Sequence, residues 1–324
     1  MFLLGDIQMN VVRSFECMNA CILNHLNRAK MEINGSDIFF SGQGYPISYK
    51  KGSLTRIKSD GYNANFRFLQ RYGIDYQFGR VRPEKDVLLK YLQEPYTITI
   101  RMVSDCLVYD KVFSQTPGAS HFVNIMDYNE QKKMFLIMDG DVPSMETGCF
   151  LGWVDEKDIL KGWQVMRGEL LQMKLSYELS QPSLVRQVKK VANEHMRHAI
   201  NLYLKGKQSL FSGQVSGEKA ICYMIQQIGK YVGKSIFKEL VQEANFRIRV
   251  DGYLGGKLFL LEKLEEQQRI DVAKEYEEVV KGWSRWCMLL LKAGLIPSEK
   301  NIRLIKNKME ELLERERICL KKVL

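Results

Sequence analysis

Cys17 stands at the front of an apolar helical stretch running from Phe15 to Leu26. A cysteine acts as nucleophile or metal ligand through its thiolate, and the unpaired N–H groups of a helix N-terminus favour that anion. This position therefore predicts an acidified thiol. Roughly a hundred residues on, His121 sits in a strand-like run, Ser120 to Tyr128, and a second apolar run, Met134 to Met138, ends in Asp139. A thiol, an imidazole to take its proton and a carboxylate to orient that imidazole are the parts of acyl chemistry through a covalent thioester.

The hairpin joining the two runs makes the arrangement testable. If its turn centres on Glu130, His121 and Asp139 face each other on one side of the sheet, about 5 Å apart. A slip of one residue would send Asp139 to the opposite face. Asp127, Asn124 or Asp141 would then compete for its role. The remaining histidines are less suggestive. His25 lies two turns down the Cys17 helix, on or near the core; His195 and His198 are three apart in a helix crowded with Lys and Arg. Cys17, Cys21 and His25 share one helix face, but no second ligand pair has suitable spacing, so no metal centre and no resident cofactor are expected.

Several elements must position these side chains. Asn63 to Tyr72 and Pro83 to Leu92 read as helices, the second from its proline and acidic first turn. Gly35 to Gly61 reads as irregular loop with short extended pieces. Tyr96 to Val103 alternates and is β-branched, predicting a strand that Leu107 to Tyr109 continues; Phe150 to Val154 predicts another. Beyond Asp155 the pattern changes to long helices, near 156–178, 183–205, 218–244, 257–281 and 298–321, with a shorter apolar piece near 283–293. The expected organisation is an α+β domain over 1–155 and an all-α domain over 156–324, the second serving as cap and docking domain.

Composition bounds the setting. The 324 residues suffice for two domains, and no apolar run is long enough to span a bilayer. The N-terminal residues lack a basic n-region, so the expectation is a soluble, cytoplasmic protein without a signal peptide. Seven dispersed cysteines with no CxxC pair read as free thiols. The net charge is +10; residues 1–154 hold 17 Lys/Arg and 16 Asp/Glu, leaving 31 basic and 22 acidic residues, an excess of nine, in the second half. That half could meet an acidic partner or simply present solvated helix faces. The Lys300–Lys308 stretch has few aromatics, which argues against a nucleic-acid stacking surface.

Cys, His and Asp in this order, together with Glu16-Cys17, Ser36 to Tyr45, Ser104 to Tyr109, His121 to Tyr128 and Ile137-Met138-Asp139, resemble the N-terminal domain of the butirosin biosynthesis protein H family. That domain is akin to the double-glycine leader peptidases. The resemblance covers the first 155 residues, about half the chain. It implies a papain-like cysteine protease fold and an acyltransferase that moves an acyl group from a carrier-protein thioester to an amine, as in specialised-metabolite biosynthesis. Phosphopantetheine would then arrive on the partner, an acyl or peptidyl carrier protein, and the other partner would be a small amine. The leader peptidases draw an oxyanion donor from an upstream glutamine; here that glutamine is Gln8, with Asn10 or backbone N–H groups as alternatives. A cysteine peptidase trimming a leader peptide, and a non-catalytic binding scaffold, are the competing readings. Neither a membrane nor a nucleic acid is expected as partner, and the oligomeric state is left open.

Overall fold

The computed structural model describes residues 10–45, 47–50, 57–58, 60–112, 114, 118–206, 214–249 and 252–324. In chain order the first half contains α1 (Cys17–Arg28), α2 (Gly35–Ser41), β1 (Ser48–Lys50), β2 (Ile57–Lys58), α3 (Gly61–Arg71), β3 (Tyr76–Arg80), α4 (Lys85–Leu92), β4 (Tyr96–Val103), β5 (Ser120–Asn129), β6 (Met134–Asp139) and β7 (Phe150–Asp155). Then come α5 (Glu156–Val165), β8 (Glu169–Lys174), α6 (Pro182–Lys205), β9 (Gln214–Ser216), α7 (Glu218–Gly229), α8 (Phe237–Arg249), α9 (Tyr253–Glu266), α10 (Ile270–Leu295) and α11 (Glu299–Val323). The chain divides into two compact units, Met1–Ile38 with Asn65–Lys189 and Phe39–Ala64 with Lys190–Leu324.

The first unit is built on a six-stranded antiparallel sheet of order β3-β8-β4-β5-β6-β7. Alternation along the strands sends side chains to two different cores. Ile98, Ile100, Val123, Ile125 and Ile137 pack with Leu88 of α4 and Ile159 and Trp163 of α5. On the other face Phe122, Leu171 and Met173 pack with Met18, Cys21, Ile22 and Leu26 of α1 and with Phe68 and Leu69 of α3.

The helices expected near 218–244 and 257–281 are each divided, between α7 and α8 and between α9 and α10, and α10 takes in the piece near 283–293. Three further sequence expectations fail for identifiable reasons. Helix 156–178 is two elements, because the chain turns at Arg167 and Gly168, both at positive φ, and returns as β8. A Cβ on Gly168 would meet the Val81 carbonyl oxygen at 1.9 Å, so only glycine allows that return. Leu170 faces one core and Leu171 and Met173 the other. A strand buried on both faces loses the alternation that reveals strands, and a short apolar run then passes for helix. The sheet thus draws a strand from beyond residue 155, and the first unit runs to Lys189. Leu107 to Tyr109 does not extend β4; a 3-10 turn at Ser104–Cys106 ends it. Within Gly35 to Gly61, residues 35–41 are helical.

The second unit contains a small antiparallel sheet, order β2-β1-β9, and the helices α7 to α11. The region after 155 is therefore mostly helical without being all-α. At the centre of this unit, Lys257 and Glu316 are both fully buried and bonded to each other. Tyr276 OH also donates to Glu316 Oε1, and Tyr203 OH and Trp283 Nε1 donate to its Oε2, each at 3.1 Å. The Lys257 ammonium lies 4.3–5.2 Å from the ring centroids of Tyr253, Trp283 and Tyr203. Paired charge, the hydrogen bonds to Glu316 and the aromatic faces together offset the cost of removing both ions from water. Among the described residues no helix is long and apolar enough to cross a membrane.

Candidate active site

The site lies at the end of the large sheet where β5 begins and β6 ends, beside the first residue of α1. His121 and Asp139 are each 1% exposed, and His121 Nε2 lies 2.8 Å from Asp139 Oδ2. Their pairing follows from a bulge. Near the turn Asn129 pairs with Met134 and Asp127 with Leu136; past Met126 the register shifts, and Ile125 pairs with Ile137 and Asn124 with Met138. One residue further, Asp139 comes opposite Val123, so His121 sits diagonally across from it on the same face. Without the extra residue, Asp139 would oppose Asn124, and His121 would point to the other side. The direct opposition expected from a turn at Glu130 is thus a diagonal one, still within reach of these side chains.

Asp139 is held on both oxygens. Tyr109 OH donates to Oδ2 at 2.9 Å and the Asp141 backbone N–H to Oδ1 at 2.9 Å, while the Tyr109 ring stacks on Phe150 at 3.9 Å. A carboxylate accepting three bonds in a buried setting stays where it is put. Beside it the imidazole of His121 has a pKa well above its ordinary value: burial opposes its charge, and Asp139, followed by the Cys17 sulfur, outweighs burial. With Nε2 committed to Asp139, Nδ1 is the ring nitrogen left for the thiol. A ring nitrogen of His121, the Cys17 sulfur and a carboxylate oxygen of Asp141 all lie within 4.8 Å of one another.

The thiol itself departs from expectation. Its pKa is raised, first by burial and then by the Glu16 carboxylate, with His121 acting in the opposite direction. Glu16 is the N-cap of α1; its side chain accepts from Asn19 N at 2.8 Å and Met18 N at 3.2 Å, and its Oε1 is 3.8 Å from the sulfur. The N–H groups that would have stabilised a thiolate are largely consumed by this carboxylate, which adds a like charge of its own. That of Cys17 remains. Asn65 Nδ2 donates to Glu16 Oε2 at 2.7 Å, and Asn19, bonded to Asn65 and Ser14, completes a polar floor under the cap. Burial raises the Glu16 pKa, against the lowering effect of these hydrogen bonds.

Other residues singled out by sequence fall into place. Asp141 is half-buried, and burial raises its carboxyl to about 7, with His121 and Arg13 lowering it and Asp139 and Glu16 raising it further. Asn124 accepts from Thr99 Oγ1 at 2.6 Å and donates to the Cys21 carbonyl at 3.1 Å, tying sheet to helix rather than orienting His121. Asp127 accepts from the N–H of its neighbour Tyr128 on the turn side of the bulge. Cys21 and His25 are buried in the core, His25 with its pKa lowered to about 3 by burial, and Cys17 keeps company with His121 instead of them. His195 Nδ1 is 3.2 Å from the Phe40 carbonyl oxygen in the second unit, and His198 is exposed. Gln8 lies outside the described residues; Asn10 is exposed and lines a groove of about 420 Å³ with Val11, Arg13, Thr147, Cys149 and Leu151.

Sequence reasoning did not find Tyr109 or Asn65. Tyr109 belongs to a stretch read as strand, and its link to Asp139 exists only because β4 stops at Val103. Compared with protein-family models and with curated proteins, the chain matches none.

Proposed function

We propose that the protein is a cysteine acyltransferase of papain-like architecture that forms an amide from a carrier-protein thioester and an amine. The observation that carries the reading is the buried His121–Asp139 pair beside the sulfur of Cys17. In support, α1 opens with the cysteine and packs on an antiparallel sheet whose neighbouring strands bear the histidine and aspartate. The likeness of these segments to the butirosin biosynthesis protein H family supplies the substrate class, with acidic carrier proteins matched to the basic second half of the chain.

Both Cys17 and His121 have raised pKa values, so the form with a proton on each persists to higher pH than in the free side chains. Loss of one proton gives a pair that shares the other, and this form reacts. The sulfur attacks the thioester carbonyl; the tetrahedral oxyanion meets the N–H of Cys17. As the carrier thiol leaves it takes the proton from His121, and the acyl group remains on Cys17. A neutral amine then attacks, its proton passes to His121, and the C–S bond breaks to release the amide, with the proton returning to the Cys17–His121 pair. Asp139 keeps the imidazole oriented and stabilises its cationic form throughout.

Intact-mass measurement of the chelator-treated protein mixed with acylated carrier protein tests this. Wild type should gain the mass of the acyl group and Cys17→Ala should not. Unchanged wild-type mass, with normal amide production by Cys17→Ala, would end the reading. Peptide cleavage without carrier protein would instead favour a peptidase using the same residues.

A further inference from the structure

Asp141 has no part in the acyl-transfer scheme, yet its carboxylate faces both the nucleophile and the base. The chain leaving β6 brings two carboxylates to one imidazole: Asp139 meets Nε2, and an Asp141 oxygen lies within 4.8 Å of a His121 ring nitrogen and of the Cys17 sulfur. Three carboxylates, those of Glu16, Asp139 and Asp141, surround Cys17 and His121, and Arg13 is the other cation acting on Asp141. Such a group cannot hold all its negative charge without either protons or a cation.

We propose that Cys17, His121 and Asp141 bind a single divalent cation of the zinc class, which occupies the nucleophile and holds the protein inactive until it is withdrawn. The ligand set is that of a three-ligand zinc site: a thiolate, an imidazole and a carboxylate, with the fourth position left to water or an incoming thiol. Bond lengths of about 2.0–2.3 Å require ligand atoms about 3.3–3.5 Å apart. The present spacing, within 4.8 Å, contracts on binding to reach those separations. The groups that would hold the imidazole in place are already bonded: Asp139 on Nε2 fixes the tautomer that leaves Nδ1 for the metal, and Tyr109 and the Asp141 amide fix Asp139. A thiolate with one imidazole selects zinc or cobalt over magnesium or calcium. Binding replaces the thiol proton by the metal and releases that proton, together with any on Asp141; no electron moves. A sulfur engaged in this way has its charge drawn toward the metal and its His121 partner occupied, so it is a poor nucleophile for a thioester; this consequence rests on the acyl-transfer reading, whereas the binding site itself does not.

The test is titration of the full chain, stripped with chelator, with cobalt(II) and then zinc(II). One equivalent of cobalt should produce thiolate-to-cobalt charge-transfer absorption with intense tetrahedral d–d bands, displaced by zinc. Either metal should slow iodoacetamide alkylation at Cys17, read by peptide mass. The charge-transfer band should vanish in Cys17→Ala and in the near-isosteric Cys17→Ser, and Asp141→Asn should weaken binding at least about tenfold. Absence of the band in wild type, its persistence in both Cys17 variants, or unchanged affinity in Asp141→Asn would each overturn the proposal. Acyl-enzyme formation in chelator without a cobalt band would sink this inference alone. A band without acyl-enzyme would sink the acyl-transfer reading alone.

Discussion

Asp139→Asn isolates the part of the site on which the rest depends. The carboxylate accepts three hydrogen bonds on two oxygens: His121 Nε2 and Tyr109 OH on Oδ2, and the Asp141 N–H on Oδ1. An amide has one acceptor oxygen. Turned toward His121 and Tyr109, it sets its NH2 against the Asp141 N–H; turned the other way, it presents a donor to His121 and forces the wrong tautomer. The first choice leaves one buried N–H unsatisfied, a loss of about 1–3 kcal/mol in stability. It also removes the negative charge from beside the imidazolium. Charge-assisted bonds are about twice as strong as neutral ones, and hydrogen bonds to charged groups contribute about 1.5–3 kcal/mol. With the lost charge itself, the reacting state should be destabilised by about 2–4 kcal/mol, which is roughly a 30- to 1,000-fold slower reaction. The assay is the second-order rate of iodoacetamide alkylation at Cys17 at neutral pH, read by peptide mass because Cys149 and Cys222 are also half-exposed. Urea unfolding of the same samples gives the stability. A variant that alkylates within about threefold of wild type, yet unfolds at the same urea concentration, would refute the assignment of Asp139.

Three more outcomes are expected. Burial and then the Glu16 charge raise the thiol pKa, and Glu16→Gln removes the second, so the curve of Cys17 alkylation rate against pH should move to lower pH; with the cap weakened, the fold should lose about 1 kcal/mol. A curve that stays in place would show that Glu16 does not govern the thiol. Gly140→Ala, between the two site aspartates, would put a Cβ 2.4 Å from the Val12 carbonyl oxygen and 2.8 Å from Asn24 Nδ2, so urea unfolding should report a loss of about 1–3 kcal/mol, with slower alkylation at Cys17. In the second unit, Glu316→Gln should lose about 3–5 kcal/mol by stranding Lys257, and Lys257→Met added to it should recover most of that loss. A double variant no more stable than the single one would show that the ion pair is not the source of the cost.

The candidate reacting groups were legible in the chain because they are residue types near recognisable signals. An apolar helical stretch headed by Cys17, and β-rich runs carrying His121 and Asp139, are local patterns. The helices α1, α4, α6 and α11 announced themselves through periodicity and caps for the same reason. What local pattern does not carry is register. Whether Asp139 reaches His121 turns on one unpaired residue, Met126, and no residue type there announces a bulge. The acidity of Cys17 escaped for a related cause: a helix start predicts a stabilised thiolate, but Glu16 folds back over its own helix and Asn65, 49 residues away, holds it there. Strand β8 escaped because burial on both faces erases alternation. Residue type supplied the reacting groups, while packing across distant segments decided their distances, their charges and which side of the sheet they share.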